Sequence, residues 1–346
     1  MKGLTPFLDD LVASSAASAA VALAGTADRI AWEAAAGAAP ETRFDLASLT
    51  KPFVSTLALV LEAEGVLRLG SPIAELWPAA DPRLGRRPLS DLLRHRSGLQ
   101  AWAPLYHLCR SREEALSLIL GGTLLGARAG TYSDLGFILL GMTIEKVTGE
   151  ELQAAVRSRV LGPLGLSHVE PSPGDQPDIA ESRMDTGKEV QLAAKMGLTV
   201  APLPAEKGFP QDGNARFLIG LAGGRGHMAG HAGLFGRARD LWALGAEWLA
   251  PGRLLQPAAV ADALAGGGGF ALGWWRRTLQ GSAGRALSRA SFGHTGFAGG
   301  SLWIDPEAGR ILVLLAARTD PMDNFNRRRR RFHILASHRI SPGGTT

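Results

Sequence analysis

The spacing of apolar residues changes twice along the chain. Residues 18–24 (SAAVALA) and 29–36 (RIAWEAAA) are short runs split by Gly25-Thr26-Ala27-Asp28, and they predict a β-hairpin with a polar turn. After Phe44 to Lys51, a run from Pro52 to Glu64 has helical spacing, and Gly65 stands where a helix C-cap belongs. Helical periodicity then dominates to about residue 245. Loops are expected at 77–88, 98–106, 121–131, 171–188 and 201–214. The final third is different: residues 269–275, 299–305 and 310–317 are short, apolar and strand-like, with Asp305 to Gly309 as a turn. Strands at both ends of a helical middle predict an α/β domain built from residues 1–65 and 246–346. A mainly helical domain, 66–245, is inserted between them. No internal repeat interrupts this plan.

Composition narrows the class. A chain of 346 residues with 46% hydrophobic and 20% charged residues has enough apolar side chains for large cores, and this excludes disorder. One cysteine, Cys109, excludes an internal disulfide framework and a Cys-rich zinc module. No apolar run is long enough to span a membrane. Lys2 is a thin basic region and Asp9 and Asp10 interrupt any apolar core, so the chain reads as made without an export signal and cytoplasmic. The net charge is +5, and only six of the 37 basic residues are lysines. The one basic block, Arg327 to Arg331, has Phe332, Ile334 and Leu335 beside it. It reads as one face of a terminal helix rather than a nucleic-acid-binding tail.

Against so few lysines, Ser48-Leu49-Thr50-Lys51 stands out as the only S-x-x-K. Pro52 lacks an amide hydrogen and fits a helix only in its first turn, which places the helix start near Ser48. Residues three apart share a helix face, so the Lys51 amine reaches the Ser48 hydroxyl. A serine is a poor nucleophile until its proton is taken, and a desolvated lysine can take one where an arginine cannot. The plainer alternative is a capping serine followed by an exposed lysine. Tyr132-Ser133-Asp134 is a second element. A phenol beside an ammonium is expected to have a lowered pKa and to relay protons, while Ser133 or Asp134 also suits the N-cap of a helix over 135–147. His294-Thr295-Gly296 is the third, ahead of a strand-like segment. Its glycine lets a ligand backbone come close, and the Phe297 amide can pair with that of Ser48 as an oxyanion hole.

The three elements in this order resemble the serine β-lactamase and penicillin-binding protein superfamily, closest to its class C β-lactamase-like branch of esterases and D-amino-acid peptidases. The stretches FDLASLTKPF (44–53), LLRHRSGL (92–99), YSDLG (132–136), PLGL (163–166) and GHAGLF (230–235) carry the likeness over about residues 15–335. The resemblance implies a β-lactamase/transpeptidase-like α/β (α+β) fold. An antiparallel sheet is flanked by helices, and the active site lies in the cleft between the sheet domain and the helical insertion. It implies Ser48 as the acylated nucleophile, Lys51 as its proton acceptor or electrostatic partner, and Tyr132 as a second acid and base. Asp134, His294, Thr295, Gly296 and Phe297 then support the substrate. No metal or organic cofactor is implied, and the partner is a small ester or amide.

Two positions depart from the family pattern. His294 stands where lysine is common, and a largely neutral imidazole is a weaker receptor for a substrate carboxylate; this favours esters or less acidic amides. Asp134 stands where asparagine is usual; beside Lys51 it would keep that lysine protonated and leave Tyr132 as the better base. Other readings remain: a catalytically idle relative acting as a binding module, or a zinc hydrolase on His227 and His231, four residues apart. The latter lacks the glutamate of H-E-x-x-H. There is no G-x-S-x-G elbow and no P-loop, and the glycines around 224–229 do not open a helix after a strand. Trp274 and Trp275 read as core, the alternative being that one lines the cleft.

Overall fold

A computed structural model describes residues 3–181, 187–278 and 281–337. Its centre is a six-stranded antiparallel sheet. Helix α1 (Leu4–Ala13) precedes the hairpin β1 (Ala17–Gly25) and β2 (Ile30–Ala36), then comes α2 (Thr50–Ala63). Helices α3 (Asp134–Thr148), α4 (Gly187–Lys195) and α5 (Ala238–Leu249) belong to the middle of the chain. Strands β3 (Trp275–Arg276), β4 (Phe292–Thr295), β5 (Ser301–Asp305) and β6 (Arg310–Arg318) follow, then α6 (Met322–Ser337). The strand order is β2-β1-β6-β5-β4-β3. The two chain ends meet where β1 pairs with β6, Val21 opposite Leu315 and Leu23 opposite Val313.

Alternation along the strands builds two cores. Val21, Leu23, Leu302, Ile304, Ile311, Val313 and Leu315 face one side, against α2, α5 and the helical middle. Ala20, Ala22, Ala24, Trp303, Leu312 and Leu314 face the other, against α1 and α6. Neighbouring strand residues point to opposite faces, so a strand covered on both sides reads as an unbroken apolar run, as Arg310–Arg318 does. Helix α1 buries Leu4, Phe7, Leu8 and Leu11 and exposes Asp9 and Asp10. The charges that interrupt an apolar run are thus the outer face of an amphipathic helix.

The hairpin, the run ending at Gly65 (φ +74°) and the 305–309 turn form as expected. Residues 269–275 do not form a strand: only Trp275 and Arg276 pair with β4. Gly273 turns the chain at φ +75°, and a side chain there would meet Ser55 Oγ at 1.6 Å. The basic block is also not one face of its helix. Arg329 is fully buried within α6, while Arg327 and Arg331 are exposed. Among the described residues no helix is long and apolar enough to cross a membrane.

Candidate active site

The turn into α2 is built to present Ser48. Residues 47–49 form a 3-10 turn continuous with the helix, and Pro52 falls in its first turn. Ala47 has φ +46°, a conformation a non-glycine residue holds only when its surroundings enforce it. The enforcement comes from Asp45. Its carboxylate accepts from the Ala47 amide at 2.8 Å and from the Gln211 amide at 3.0 Å, which ties the turn to a distant loop. Burial pushes the Asp45 pKa up to about 6, with those amide bonds acting against it.

Lys51 is fully buried and its ammonium has three acceptors: Ser48 Oγ at 3.0 Å, Asp134 Oδ1 at 2.6 Å and the His231 carbonyl at 3.2 Å. Burial alone would lower the lysine pKa. The Asp134 charge, with Tyr132 and the hydrogen bonds, outweighs it and moves the pKa above its ordinary value. Lys51 therefore rests as a cation that donates to the Ser48 oxygen. Asp134 is held in place as the first residue of α3, which Ser133 caps through Gly136 N–H at 3.3 Å.

Tyr132 sits 4.9 Å from the Lys51 ammonium, measured to its ring centre. The expected lowering of its pKa does not occur. Burial pushes the phenol up to about 12, more than Lys51 pulls it down, and Asp134 adds to the rise. Rings enclose it: Trp275 stacks at 5.2 Å and His95 lies at 4.5 Å. His95 has φ +53°, and its Nδ1 accepts from the Ser133 amide at 3.0 Å, which fixes the Tyr132 loop. Burial, then the Lys51 charge, lowers the His95 pKa to about 3, so its ring is neutral.

His294 and Thr295 end β4, beyond the two residues that pair with β3, and β5 follows as the strand expected after them. His294 is 1% exposed. Burial, then Lys51, holds its pKa well below the ordinary histidine range. Its Nδ1 lies 2.9 Å from the Thr295 carbonyl, so Nδ1 carries the proton and Nε2 presents a lone pair. Gly296 opens the turn into β5, where a side chain would meet the Leu46 carbonyl at 2.6 Å. That close approach brings the Phe297 and Ser48 segments together.

Ser48, Tyr132, Asp134 and Phe297 line one cavity of about 230 Å³, with Ala47, Ala101, Trp102, Lys188, Glu189, Leu192, Gln211, Asp212 and Ala232. The lining surface is mostly apolar, and its polar groups are spread between the Ser48, Tyr132 and Asp134 side and the Lys188, Glu189, Gln211 and Asp212 side. The Phe297 N–H, in the turn between β4 and β5, has no hydrogen-bond partner among the described residues. His231 and His227 do not converge. His231 Nε2 bonds Asp212 at 2.9 Å and His227 lies 3.6 Å from Glu151, and among the described residues no cluster of three or more His, Cys, Asp or Glu could hold a metal. Trp274 is core, whereas Trp275 flanks Tyr132. The sequence reading assigned no role to Asp45, His95 or Gln211. Asp45 and His95 lie inside the matched stretches FDLASLTKPF and LLRHRSGL, so position was their only signal. Gln211 carried none.

The sheet-and-helix scaffold of this order is that of a serine hydrolase class. The chain belongs to the beta-lactamase family, whose model matches residues 5–336. A putative D-alanyl-D-alanine carboxypeptidase of Escherichia coli K12 is 28% identical over 328 residues, covering 82% of this chain and 72% of the relative. Esterase EstB of Burkholderia gladioli is 31% identical over 279 residues, covering 69% and 64%. The solved structure of EstCE1, a hydrolase with promiscuous acyltransferase activity, superposes with a TM-score of 0.75 at 21% identity over 96% of this chain and 97% of that one.

Proposed function

We propose that the protein hydrolyses a small ester or amide through an acyl-enzyme on Ser48, with esters turned over fastest. The observation that carries this is the Lys51 ammonium, buried and shared between Ser48 Oγ and Asp134. Lys51 stays protonated, makes the serine oxygen a better nucleophile and stabilises its developing charge. Tyr132 is neutral in the resting site, so it acts as a relay. As Ser48 Oγ bonds to the substrate carbonyl carbon, its proton passes to the Tyr132 oxygen, and the phenol proton passes to the leaving group. Water then enters along the same path in reverse and releases the acid. The Ser48 and Phe297 amides face the carbonyl oxygen as it gains charge.

Preference for esters follows from His294. His294, Thr295 and Gly296 stand behind the cavity rather than in its lining, and a neutral, buried imidazole offers a substrate carboxylate no charge; the mostly apolar surface suits an uncharged acyl group, with Lys188 the one basic side chain among the lining residues. The esterase and carboxypeptidase among the relatives bracket the same choice. The same reading treats the cavity as a cleft between two units. Residues 1–65 and 246–346 supply Ser48 and Phe297, and residues 66–245 supply Trp102, Tyr132 and Gln211.

The test is fluorophosphonate labelling with peptide mapping, run with p-nitrophenyl esters and a chromogenic cephalosporin in parallel. Ser48 should carry the label, Ser48→Ala should lose label and turnover together, and ester hydrolysis should exceed cephalosporin hydrolysis. A folded protein that takes no label and turns over neither substrate is a binding module instead.

A further inference from the structure

Two arginines are buried behind the turn that supplies the Phe297 amide, and neither has a carboxylate partner among the described residues. Arg329 of α6 is 0% exposed, and its Nη2 donates to the Gly296 carbonyl at 2.6 Å and the Gly300 carbonyl at 2.9 Å. Its Nη1 donates to Asn326 at 2.8 Å, and the guanidinium lies 5.2 Å from the Phe325 ring centre. Arg318 is 1% exposed, donates from Nε to the Phe297 carbonyl at 2.9 Å, and lies 4.8 Å from the Phe297 ring centre. Burial, then the neighbouring Arg318, lowers the Arg329 pKa to about 9, which still leaves it charged at neutral pH.

Desolvating a cation is costly, and a fold keeps an unpaired one only where other contacts compensate. A structural clamp alone needs no charge, since a neutral amide could bridge two carbonyls. The distinguishing feature is which peptide Arg329 grips. The Gly296 carbonyl and the Phe297 N–H belong to the same planar peptide group, joined by resonance. A cation bonded to the oxygen withdraws electron density through that plane and makes the N–H a stronger donor, as in cooperative hydrogen-bond chains. Arg318 grips the next peptide, whose N–H belongs to Ala298.

Resting on the acyl-transfer reading above, we propose that Arg329 is a positioning residue that polarises the Gly296–Phe297 peptide and so strengthens the oxyanion hole from behind. Its effect falls on the transition state and leaves substrate binding nearly unchanged. Arg318 supports the same turn without touching the hole's donor.

The test compares full-length Arg329→Met and Arg318→Met with p-nitrophenyl butyrate, phenylboronic acid and a carbonyl-labelled acyl-enzyme observed by infrared spectroscopy. Losing a whole oxyanion donor costs about 10²- to 10³-fold, so loss of its polarisation should lower kcat by about 10- to 50-fold with KM within about threefold. Boronate affinity should fall by a similar factor, and the acyl carbonyl stretch should move to higher frequency. Arg318→Met should show a several-fold smaller rate loss and an unmoved stretch. Equal effects in the two variants, or an Arg329 variant with an unmoved stretch, overturn the proposal. If Arg329→Met does not fold, Arg329→Lys decides the matter. Keeping the charge should hold the wild-type stretch and kcat within about fivefold, and a folded lysine variant with a shifted stretch and lower kcat rejects the charge as the cause. Ser48 labelling is followed throughout. A wild type that takes no label rejects the hydrolase reading, whereas normal labelling with unchanged rates rejects only the role of Arg329.

Discussion

The two walls of the cavity are built differently. The chemical wall is part of the main core: α2 buries all of Thr50 to Leu61, including Lys51, and β4 buries His294. Its reacting groups are tied down by named partners: Lys51 by three acceptors, the Ala47 amide by Asp45, the Tyr132 loop by His95. The opposite wall rests on a separate small cluster of Trp102, Ala193 and Val200, with Tyr106, Val190, Leu192 and Leu198 half-buried around it. Helix α4 buries only Glu189 and Ala193 of its nine residues. Gln211 is 4% exposed, and both atoms of its side-chain amide lack a protein partner. A catalytic group must be held within a fraction of an ångström, whereas a wall that accepts a substrate needs unsatisfied polar atoms and looser packing.

This contrast makes ordered expectations. The largest effect belongs to the chemical wall: Tyr132→Phe keeps the ring packing and removes the relay, so kcat should fall by about 10²- to 10⁴-fold with KM within about threefold. Steady-state ester kinetics check this, and a comparable rise in KM would show that the phenol only binds. Next, Trp102→Ala in the opposite wall should raise KM by about 10-fold and change kcat by less than about threefold. A loss confined to kcat would erase the division between the walls. The smallest effect in rate is the most diagnostic in pH. Lys51 is held above its ordinary pKa by Asp134 against the pull of burial. In Asp134→Asn burial gains the upper hand, the ammonium loses its proton at lower pH, and the alkaline limb of kcat/KM should move down by about one unit or more. A profile that stays in place would mean that Asp134 does not set the charge of Lys51.

What the sequence determined by itself was local. The Ser48–Lys51 spacing needs only one helical turn, Ser133 caps its own helix, the hairpin closes at the turn that follows Gly25, and the strands over 301–305 and 310–318 follow from apolar runs. Local chemistry also foretold a neutral His294 and a protonated Lys51 if Asp134 stood near. The tertiary structure decided the rest. It set Asp134 at 2.6 Å from Lys51 across 83 residues of chain, made the Tyr132 phenol a weaker acid rather than a stronger one, and turned 269–275 back on itself at Gly273. It also took one arginine out of a basic block and buried it behind the Gly296–Phe297 turn. Charge and periodicity are written residue by residue, but desolvation depends on everything that packs around a group. Burial therefore fixes the sign of a pKa shift and the task of a buried charge only when the chain has closed.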